Sequence, residues 1–516
     1  MSEGAAPVRA PGTVPAGPRV VGAPLPLQLH AVDAHGWSAL ARQLHARGAR
    51  LLSLWGEAVG QGYRIWACWL DGAQLAVAWL DLPPGVRHYP AMHDLFPVAE
   101  RMQRGLRDLL GAEVPGIDPR GWLRHQAWGE DWHPLRDDAA PTPGANEPYR
   151  FVTVDGVGVH EVAVGPVHAG VIEPGQFRFS VVGEKVLRLE QRLGFTHKGV
   201  ARRFAQLDLD GGLKLAARVS GDSAAAYAWA YCMALEALAA VQVPPRALHL
   251  RALLLERERI ANHLGDLGAI ANDAGFGFAL AQFARLKEDW LRLNAQTLGA
   301  RYPMDALRPG GVAVDLGADA AARMRAQGDA LVAEAQRLRA IVDEHEGLQD
   351  RLRGTGRVAP ELAQRLGMLG LAARASGQAL DVRALAGCAP YESFGLRART
   401  YESGDVAARF NLRFDELFEA LRLCRDLLDT LPAGPLHAAL EQPPQPGVGL
   451  GLIEGWRGPV LVALHVGEAG RIARCHAHDP SWQNWPALEW AVVNDIIADF
   501  PLINKSFNLS YSGHDG

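Results

Sequence analysis

Long helical patterns in the second half of the chain limit its fold more than any other feature of the sequence. One of them, residues 224–241, is apolar on nearly every side, and such a helix has to be buried by neighbouring elements. It carries Glu236 and lacks aromatic or basic anchors at both ends, so we expect a core helix and not a membrane span. The other patterns lie at residues 245–266, 276–299, 318–352 and 411–431.

Strand patterns precede and follow these helices. Near the start of the chain, alternating runs at residues 62–70 and 73–81 lie among helix-like segments at 37–47 and 94–110. The sequence therefore predicts the α+β class: a small α/β N-terminal domain, then a mainly helical domain with a minor antiparallel β element. The later strand patterns lie at residues 176–181, 185–189 and 459–475.

Composition suggests where the domains begin and end. Residues 1–23 are rich in Ala, Pro and Gly, which predicts a disordered lead-in. Residues 138–148 (DAAPTPGANEP) are polar and proline-rich, as linkers often are. We therefore predict one domain at residues 24–137 and a second at residues 149–516.

Charge and cysteine usage exclude several classes of protein. The formal net charge of −5 gives no electrostatic basis for binding nucleic acid. The cysteines are scattered with no C-x-x-C pair, which argues against a disulfide framework and against a zinc or iron–sulfur site built from this chain alone. A reduced, cytosolic setting is expected. The cysteines are Cys68, Cys232, Cys388, Cys424 and Cys475.

Several strings, in order, resemble two related families. These are the large subunit of membrane-bound group 4 NiFe hydrogenases (formate hydrogenlyase type) and the 49 kDa subunit of respiratory complex I. The N-terminal domain, ending in GWLRHQAWGEDWHPLRDD (121–138), is similar to the complex I 30 kDa subunit. The strings are GPVHAGVIEPGQFRF (165–179), GFTHKGVARRF (194–204), ERERIANHLGDLGAIANDAG (256–275), RPGGV (308–312), RASGQALDVR (374–383) and LPAGPL (431–436).

The resemblance covers residues 25–516 and implies partners as well as a fold. The helical domain is expected to pack on a small subunit that carries a 4Fe-4S cluster. It is also expected to lie over antiporter-like membrane subunits, as a peripheral subunit on the cytoplasmic side of the inner membrane. Nucleic acid is not an expected partner.

The nickel-ligand cysteines of the hydrogenase branch are missing. The first cysteine pair of that branch reads Arg-x-Cys-Gly-x-Cys, and this chain has Arg218, Ser220, Gly221 and Ser223 at the corresponding positions. The second pair corresponds to Ser510 and Gly513. Hydroxyl groups and a hydrogen are poor substitutes for anionic thiolates. We therefore expect no Ni–Fe centre and no other metal on this chain.

The same positions allow two interpretations. By resemblance they line a cavity in place of the NiFe or quinone site, although the tyrosine that contacts quinone in complex I corresponds to Gly221. From the residues alone, Ser223 is a candidate N-cap for the helix that follows, with Asp222 near its positive end.

Three further residues are candidates for proton handling. His168 matches a histidine shared with complex I. Glu173 matches a glutamate that relays protons in hydrogenases, and Asp273 matches an acidic residue of the complex I proton path. A carboxyl group in a poorly solvated pocket has a raised pKa and can exchange protons near neutrality. The alternative for Glu173 is a simple ion pair with a nearby arginine.

Other polar residues have competing interpretations. Arg374, Asp381 and Arg383 match positions around the family cavity, but buried Arg–Asp pairs can be purely structural. His263 is read as a core histidine. The run from Cys475 to His478 places two histidines on one strand face, where they could ligate a metal, but the matching segment of the family is ordinary strand and turn.

These expectations converge on two hypotheses. The first is a hydrogenase-like subunit without nickel, in a membrane-bound complex I-like redox assembly. In this hypothesis, the site that the missing nickel ligands leave empty in the subunit takes a quinone or another acceptor. The second is a structural subunit that links an iron–sulfur small subunit to a membrane module.

Overall fold

The computed structural model describes residues 18–125, 128–136, 142–144, 148–169 and 172–516. The α+β class is confirmed. The strands are β1 (Val20–Ala23), β2 (Leu27–Val32), β3 (Arg50–Val59), β4 (Gly62–Asp71), β5 (Gln74–Leu82), β6 (Val159–Val164), β7 (Gln176–Val182), β8 (Lys185–Arg192), β9 (Leu307–Arg308), β10 (Gly311–Val312), β11 (Gly447–Glu454), β12 (Pro459–Val466) and β13 (Ile472–His478). The helices are α1 (Ala34–Ala46), α2 (Ala99–Leu110), α3 (Val200–Phe204), α4 (Leu209–Ala216), α5 (Ala224–Ala239), α6 (Pro245–Asp273), α7 (Gly277–Leu298), α8 (Ala318–Glu344), α9 (Glu346–Leu352), α10 (Pro360–Arg365), α11 (Gly370–Arg374), α12 (Val406–Asp429), α13 (Ser481–Ala491), α14 (Phe500–Phe507) and α15 (Tyr511–Asp515).

The N-terminal module is a sheet in the order β2-β5-β4-β3, with β2 parallel to β5 and the other pairs antiparallel. Both faces of β4 are buried, which explains its nearly continuous apolar sequence. Trp69 belongs to the core shared with α1 and α2, whereas Trp66 belongs to a core shared with β11 and β12 of the second module. The two modules are therefore joined by packing through one face of this sheet.

Helix α5 is the centre of the second module. It is buried along nearly its whole length and packs on α4, α6, β11 and β12. Gly449 and Gly451 of β11 lie directly against the backbone carbonyls of Ala234 and Ala230, so a side chain at either glycine would clash with the helix. The glycine-rich strand thus serves close helix–strand packing. Helices α6, α7, α8 and α12 complete the bundle beside it.

The structure corrects the domain boundaries in one place. Residues 20–23, predicted to belong to a disordered lead-in, form β1, which pairs in parallel with β11 in the sheet β1-β11-β12-β13. The β element of the second module is therefore not wholly antiparallel. Residues 1–17 and most of the predicted linker at 138–148 lie outside the described residues.

Among the described residues, no helix combines the length and the apolar character that crossing a membrane requires.

The contact between the modules contains a buried histidine that makes stability depend on pH. His478 bonds to Gln483 at 3.0 Å, and Gln483 in turn donates to the carbonyl oxygen of Leu52 in β3 at 2.6 Å. Burial lowers the pKa of His478 from the ordinary value of 6.5 to about 4. Between pH 6.5 and pH 4, His478 is therefore protonated in the unfolded chain but neutral in the folded chain, and the free energy of unfolding decreases as the pH falls through this range.

We expect His478 to contribute about 2 kcal/mol to the loss of unfolding free energy between pH 7 and pH 5. Urea denaturation at both pH values measures this loss. His478→Gln should show a loss smaller by that amount, whereas the exposed His160→Gln should behave like the parent chain. An unchanged pH dependence in His478→Gln would contradict the assignment.

Candidate functional site

A cavity of about 570 Å³ opens between the β6–β7 loop, the loop before α5 and the C-terminal helices. It brings together segments that are far apart in the chain, because the C-terminal segment lies beside the β6–β7 loop, where Ser512 bonds to Glu173 across more than 300 residues. Apolar and charged side chains share its wall. The lining residues are Val164, His168, Ala169, Ile172, Glu173, Ser220, Gly221, Asp222, Asp273, Arg457, Phe500, Pro501, Asn504, Lys505, Asn508, Leu509, Ser510, Tyr511 and Ser512.

Two serine hydroxyls close the inner end of this cavity. Ser220 Oγ and Ser510 Oγ lie 2.9 Å apart, and both residues are buried. Ser220 Oγ donates to Asp222 Oδ1 at 2.9 Å, and Ser510 Oγ accepts the Gly513 amide at 2.9 Å as the N-cap of α15. Since each hydroxyl carries a single proton, Ser510 is the donor between the two serines.

An ion pair lies beside the serines. Arg457 holds Asp222 with two hydrogen bonds of 2.7 and 2.8 Å, and its Nε donates to the Asn508 carbonyl oxygen at 2.6 Å. Burial alone would raise the pKa of Asp222, but Arg457 outweighs it and holds that pKa below its ordinary value. Arg457 therefore fixes a negative charge in the cavity wall and ties the C-terminal segment to the β11–β12 turn.

The three candidate proton-handling residues all reach the cavity. His168 Nε2 lies 2.8 Å from the Gly175 carbonyl oxygen, so the proton sits on Nε2 and Nδ1 is left as an acceptor when the ring is neutral. Glu173 accepts from the amide and hydroxyl of Ser512 at 3.2 and 3.1 Å. Among the described residues no ion pair joins Glu173 to an arginine, and Ser512 is the residue whose groups it binds.

Asp273 is the last residue of α6 and faces the same cavity. Burial raises the pKa of Asp273, and Lys505 opposes the shift without cancelling it. A carboxyl group with a raised pKa exchanges protons closer to neutrality than an exposed one. Its role as a proton carrier stays a prediction.

Comparison with known proteins identifies relatives of this chain. Formate hydrogenlyase subunit 5 of Escherichia coli (strain K12) is 30% identical over 437 residues, which cover 83% of this chain and 77% of that protein. The C/D component of the NADH-quinone oxidoreductase of Bacteroides thetaiotaomicron is 26% identical over 383 residues, which cover 68% of this chain and 70% of that protein. The family profile described as respiratory-chain NADH dehydrogenase, 49 Kd subunit, matches residues 273–447.

This chain belongs to the family of group 4 hydrogenase large subunits and complex I 49 kDa subunits. A solved structure agrees: a chain of the membrane-bound sulfane sulfur reductase (MBS), an archaeal respiratory membrane complex, aligns with a TM-score of 0.66 at 25% identity. The alignment covers 70% of this chain and 99% of that chain.

At the positions that correspond by resemblance to the nickel ligands of the hydrogenase branch, this chain has three serines and a glycine, and two of the serines bond to each other. Hydroxyl groups are poor substitutes for anionic thiolates as ligands of such a centre. At the fourth position, a Cβ atom on Gly513 would lie 2.5 Å from Asp479 Oδ2, and Tyr227 holds that carboxylate at 2.8 Å. Among the described residues, no group of three or more His, Cys, Asp or Glu side chains is arranged to hold a metal.

The steric clash expected from a side chain at Gly513 can be tested by comparing the same substitution at Gly513 and at Gly221, a second glycine in the segments that match the nickel-ligand motifs. Gly513→Ala is expected to destabilise the chain by about 1–3 kcal/mol, because the added methyl group meets a fixed carboxylate. Gly221→Ala places its methyl group 3.7 Å from Met304 Cε, an ordinary contact, and should change stability by less than about 0.5 kcal/mol. Urea denaturation compares the two, and equal effects would contradict the expected clash.

Arg374, Asp381 and Arg383 were predicted to line the cavity, and they do not. They lie in a buried ion network, where Arg374 bonds to Glu416 and Glu454 at 2.7 Å each. Arg383 bonds to Asp381 at 2.6 Å and to Glu256 at 2.9 Å. Burial and the repulsion of Asp381 raise the pKa of Glu454 to about 7. These contacts favour the structural interpretation of the three residues.

Arg218, Ser223 and Gly513 also lie outside the lining. Arg218 is at the surface and pairs with Asp305 at 2.6 Å. Ser223 is the N-cap residue of α5 by position, but its hydroxyl accepts no bond from the helix. Glu258 of α6 takes that role, because its Oε2 accepts the Ala225 amide at 2.8 Å.

The histidines around Cys475 have ordinary partners. His476 Nε2 lies 2.7 Å from Ser53 Oγ, and His478 bonds to Gln483. His263 is buried and lies 3.0 Å from Glu416 Oε2, in agreement with a core histidine.

Sequence reasoning assigned no role to several polar cavity residues, among them Arg457, Lys505 and Asn508. A usable signal existed only for Arg457, a charged residue in a short turn between two mainly apolar strands that are buried along nearly their whole length. Lys505 and Asn508 lie in or just after a short helix, and nothing in their local sequence distinguishes them from surface residues.

Proposed function

We propose that this chain is a peripheral subunit, on the cytoplasmic side, of a membrane-bound complex I-like redox assembly, and that its cavity takes a quinone or a comparable acceptor. The observation that carries the proposal is the cavity itself, which persists where the hydrogenase ligands are gone. A subunit that served only as a link would need no such cavity.

The distribution of polarity in the cavity supports a lipophilic acceptor with a polar head. Val164, Ala169 and Ile172 form an accessible apolar side, and Ile172 is 41% exposed. The inner end carries the buried hydroxyls of Ser220 and Ser510. An isoprenoid-type tail is stabilised by the first surface, whereas the second surface offers hydroxyl oxygens that accept a hydrogen bond from a polar head, since both serine protons are already donated.

Reduction of a quinone to a quinol consumes two electrons and two protons. The electrons would come from a 4Fe-4S cluster on a small partner subunit, since no cluster ligands are grouped in the described part of this chain. Asp273 and Glu173 are placed to supply protons, and His168 to hold one at the acceptor. Antiporter-like membrane subunits are the proposed partners on the membrane side of this chain. Support comes from relatives that belong to a formate hydrogenlyase and to a NADH-quinone oxidoreductase.

Photo-crosslinking of a quinone analogue to the assembled membrane complex tests the proposal. We expect labelled peptides from residues 165–175, 220–223 or 508–513, with labelling suppressed by free quinone. Ile172→Trp, which narrows the accessible side, should reduce labelling about tenfold. Leu187→Trp is the matched control, because Leu187 is 39% exposed but does not line the cavity.

Labelling confined to other subunits, with this chain untouched, would contradict the acceptor site and favour a purely structural subunit. Equal loss in both tryptophan variants would point to a general defect of assembly, and would therefore also count against the site.

A further inference from the structure

A second cavity, of about 220 Å³, lies between the two modules and away from the acceptor site. Its wall comes from β3, the segment before residue 137, α3 and β13. Small alanine side chains leave it open, and its charged lining residues are Glu57, Arg136, Arg202 and Arg474. The lining residues are Glu57, Ala58, Pro134, Leu135, Arg136, Ala201, Arg202, Ala205, Ala473 and Arg474.

Arg474 is the unusual member of this wall. It is 7% exposed, and its guanidinium donates only to carbonyl oxygens, of Gly56 and Cys475, at 3.2 Å each. Within the described residues no carboxylate lies within 4.0 Å of it, whereas Arg374, Arg383 and Arg457 each have one. Burial lowers the pKa of Arg474 to about 10, so the group is still charged at neutral pH. A buried charge without a counter-ion is costly.

The nearby carboxylate of Glu57 offsets only part of this cost, because burial still dominates and lowers the pKa of Arg474. Glu57 lies in the same wall, but its carboxylate is already bound by His465 at 2.7 Å and by Trp66 at 2.9 Å. Arg202 of α3 adds a second guanidinium, exposed and 6.0 Å from the Trp132 ring, and no ion pair joins it to a carboxylate in the described part of the chain. The cavity thus presents unused N–H donors and an excess of positive charge.

We propose that this cavity binds an oxyanion of the phosphate class between Arg202 and Arg474. Guanidinium groups bind phosphoryl oxygens through charge-assisted hydrogen bonds, and two of them facing one small cavity suit a dianion better than a single carboxylate. The volume accommodates a phosphoryl group with little attached to it. The source is either free inorganic phosphate or the head group of an acidic phospholipid.

Titration of the full chain with inorganic phosphate, at an ionic strength matched with chloride, tests this site by calorimetry and by thermal unfolding. We expect saturable binding that raises the melting temperature. Arg202→Gln and Arg474→Gln should each weaken the affinity by about tenfold or more, because each removes charge-assisted hydrogen bonds. Arg42→Gln, an exposed arginine on α1, should leave the affinity unchanged.

Arg202 is exposed, so its variant is expected to fold even if Arg474→Gln does not. Phosphatidylcholine vesicles with about 20% phosphatidic acid separate the two sources. Binding to these vesicles but not to free phosphate, lost in Arg202→Gln, assigns the site to a lipid head group. Binding of free phosphate assigns it to the soluble ion. Absence of both, or stabilisation by phosphate that persists in Arg202→Gln, would overturn the proposal.

Discussion

Arg374→Met is expected to destabilise the folded chain by about 3–5 kcal/mol, the range for breaking a buried ion pair from one side. Arg374 is 1% exposed, and its two terminal nitrogens bond to Glu454 and Glu416 at 2.7 Å each. Burial alone would raise the pKa of Glu416, but Arg374 and His263 hold it well below its ordinary value. Without Arg374, this carboxylate is left in the core without its main counter-ion.

Denaturation by urea measures the loss, with Arg399→Met as control. Arg399 is exposed, so its variant should change the free energy of unfolding by less than about 0.5 kcal/mol. Arg374→Met combined with Glu454→Gln should recover part of the loss, because one of the two uncompensated carboxylates is gone. If Arg374→Met instead kept full stability and lost quinone labelling, Arg374 would belong to the acceptor site.

The fold was predictable where local periodicity decides it. The helical patterns at residues 224–241 and 276–299 correspond to α5 and α7 within two residues at each end. The pattern at 318–352 predicts one helix, and the structure has two, because His345 leaves helical geometry and caps α9 through its ring. Pairing of β1 with β11 could not be seen, since it joins residues more than 400 positions apart.

The candidate site was likewise predictable from the sequence only in part. Resemblance to the family predicted that Ser220 and Ser510 line a cavity and that Asp273 handles protons, and the structure places all three at one cavity, because those positions follow backbone segments that the fold brings together. The prediction was wrong for Arg374, whose position in a motif does not reveal the direction of its side chain. Tertiary contacts decide that direction, because the guanidinium bonds to Glu416 of α12 and to Glu454 of β11 instead of reaching the cavity.

Arg457→Met is expected to remove the acceptor site and to cost about 2–3 kcal/mol of stability. The stability cost is smaller than for Arg374, because Asp222 faces the cavity and its side chain is 34% exposed. The effect on the site is larger, because Arg457 also holds the Asn508 carbonyl oxygen at 2.6 Å and thereby fixes the segment that carries Ser510. Quinone labelling of this chain should therefore fall at least about tenfold.

A second Arg–Asp pair of this chain provides the control. Arg218 holds Asp305 with bonds of 2.6 and 2.8 Å, much like Arg457 and Asp222, but Arg218 is 44% exposed. Arg218→Met should cost less than about 1 kcal/mol, since an exposed ion pair is weak, and should leave labelling unchanged. The double variant Arg457→Met with Asp222→Asn should regain stability, because the charge of Asp222 that lacked a counter-ion is gone. It should not regain labelling, because the hydrogen bond from residue 457 to the Asn508 carbonyl oxygen is still missing. Full labelling in Arg457→Met would show that the inner end of the cavity holds its shape without this arginine, and that the acceptor does not depend on it.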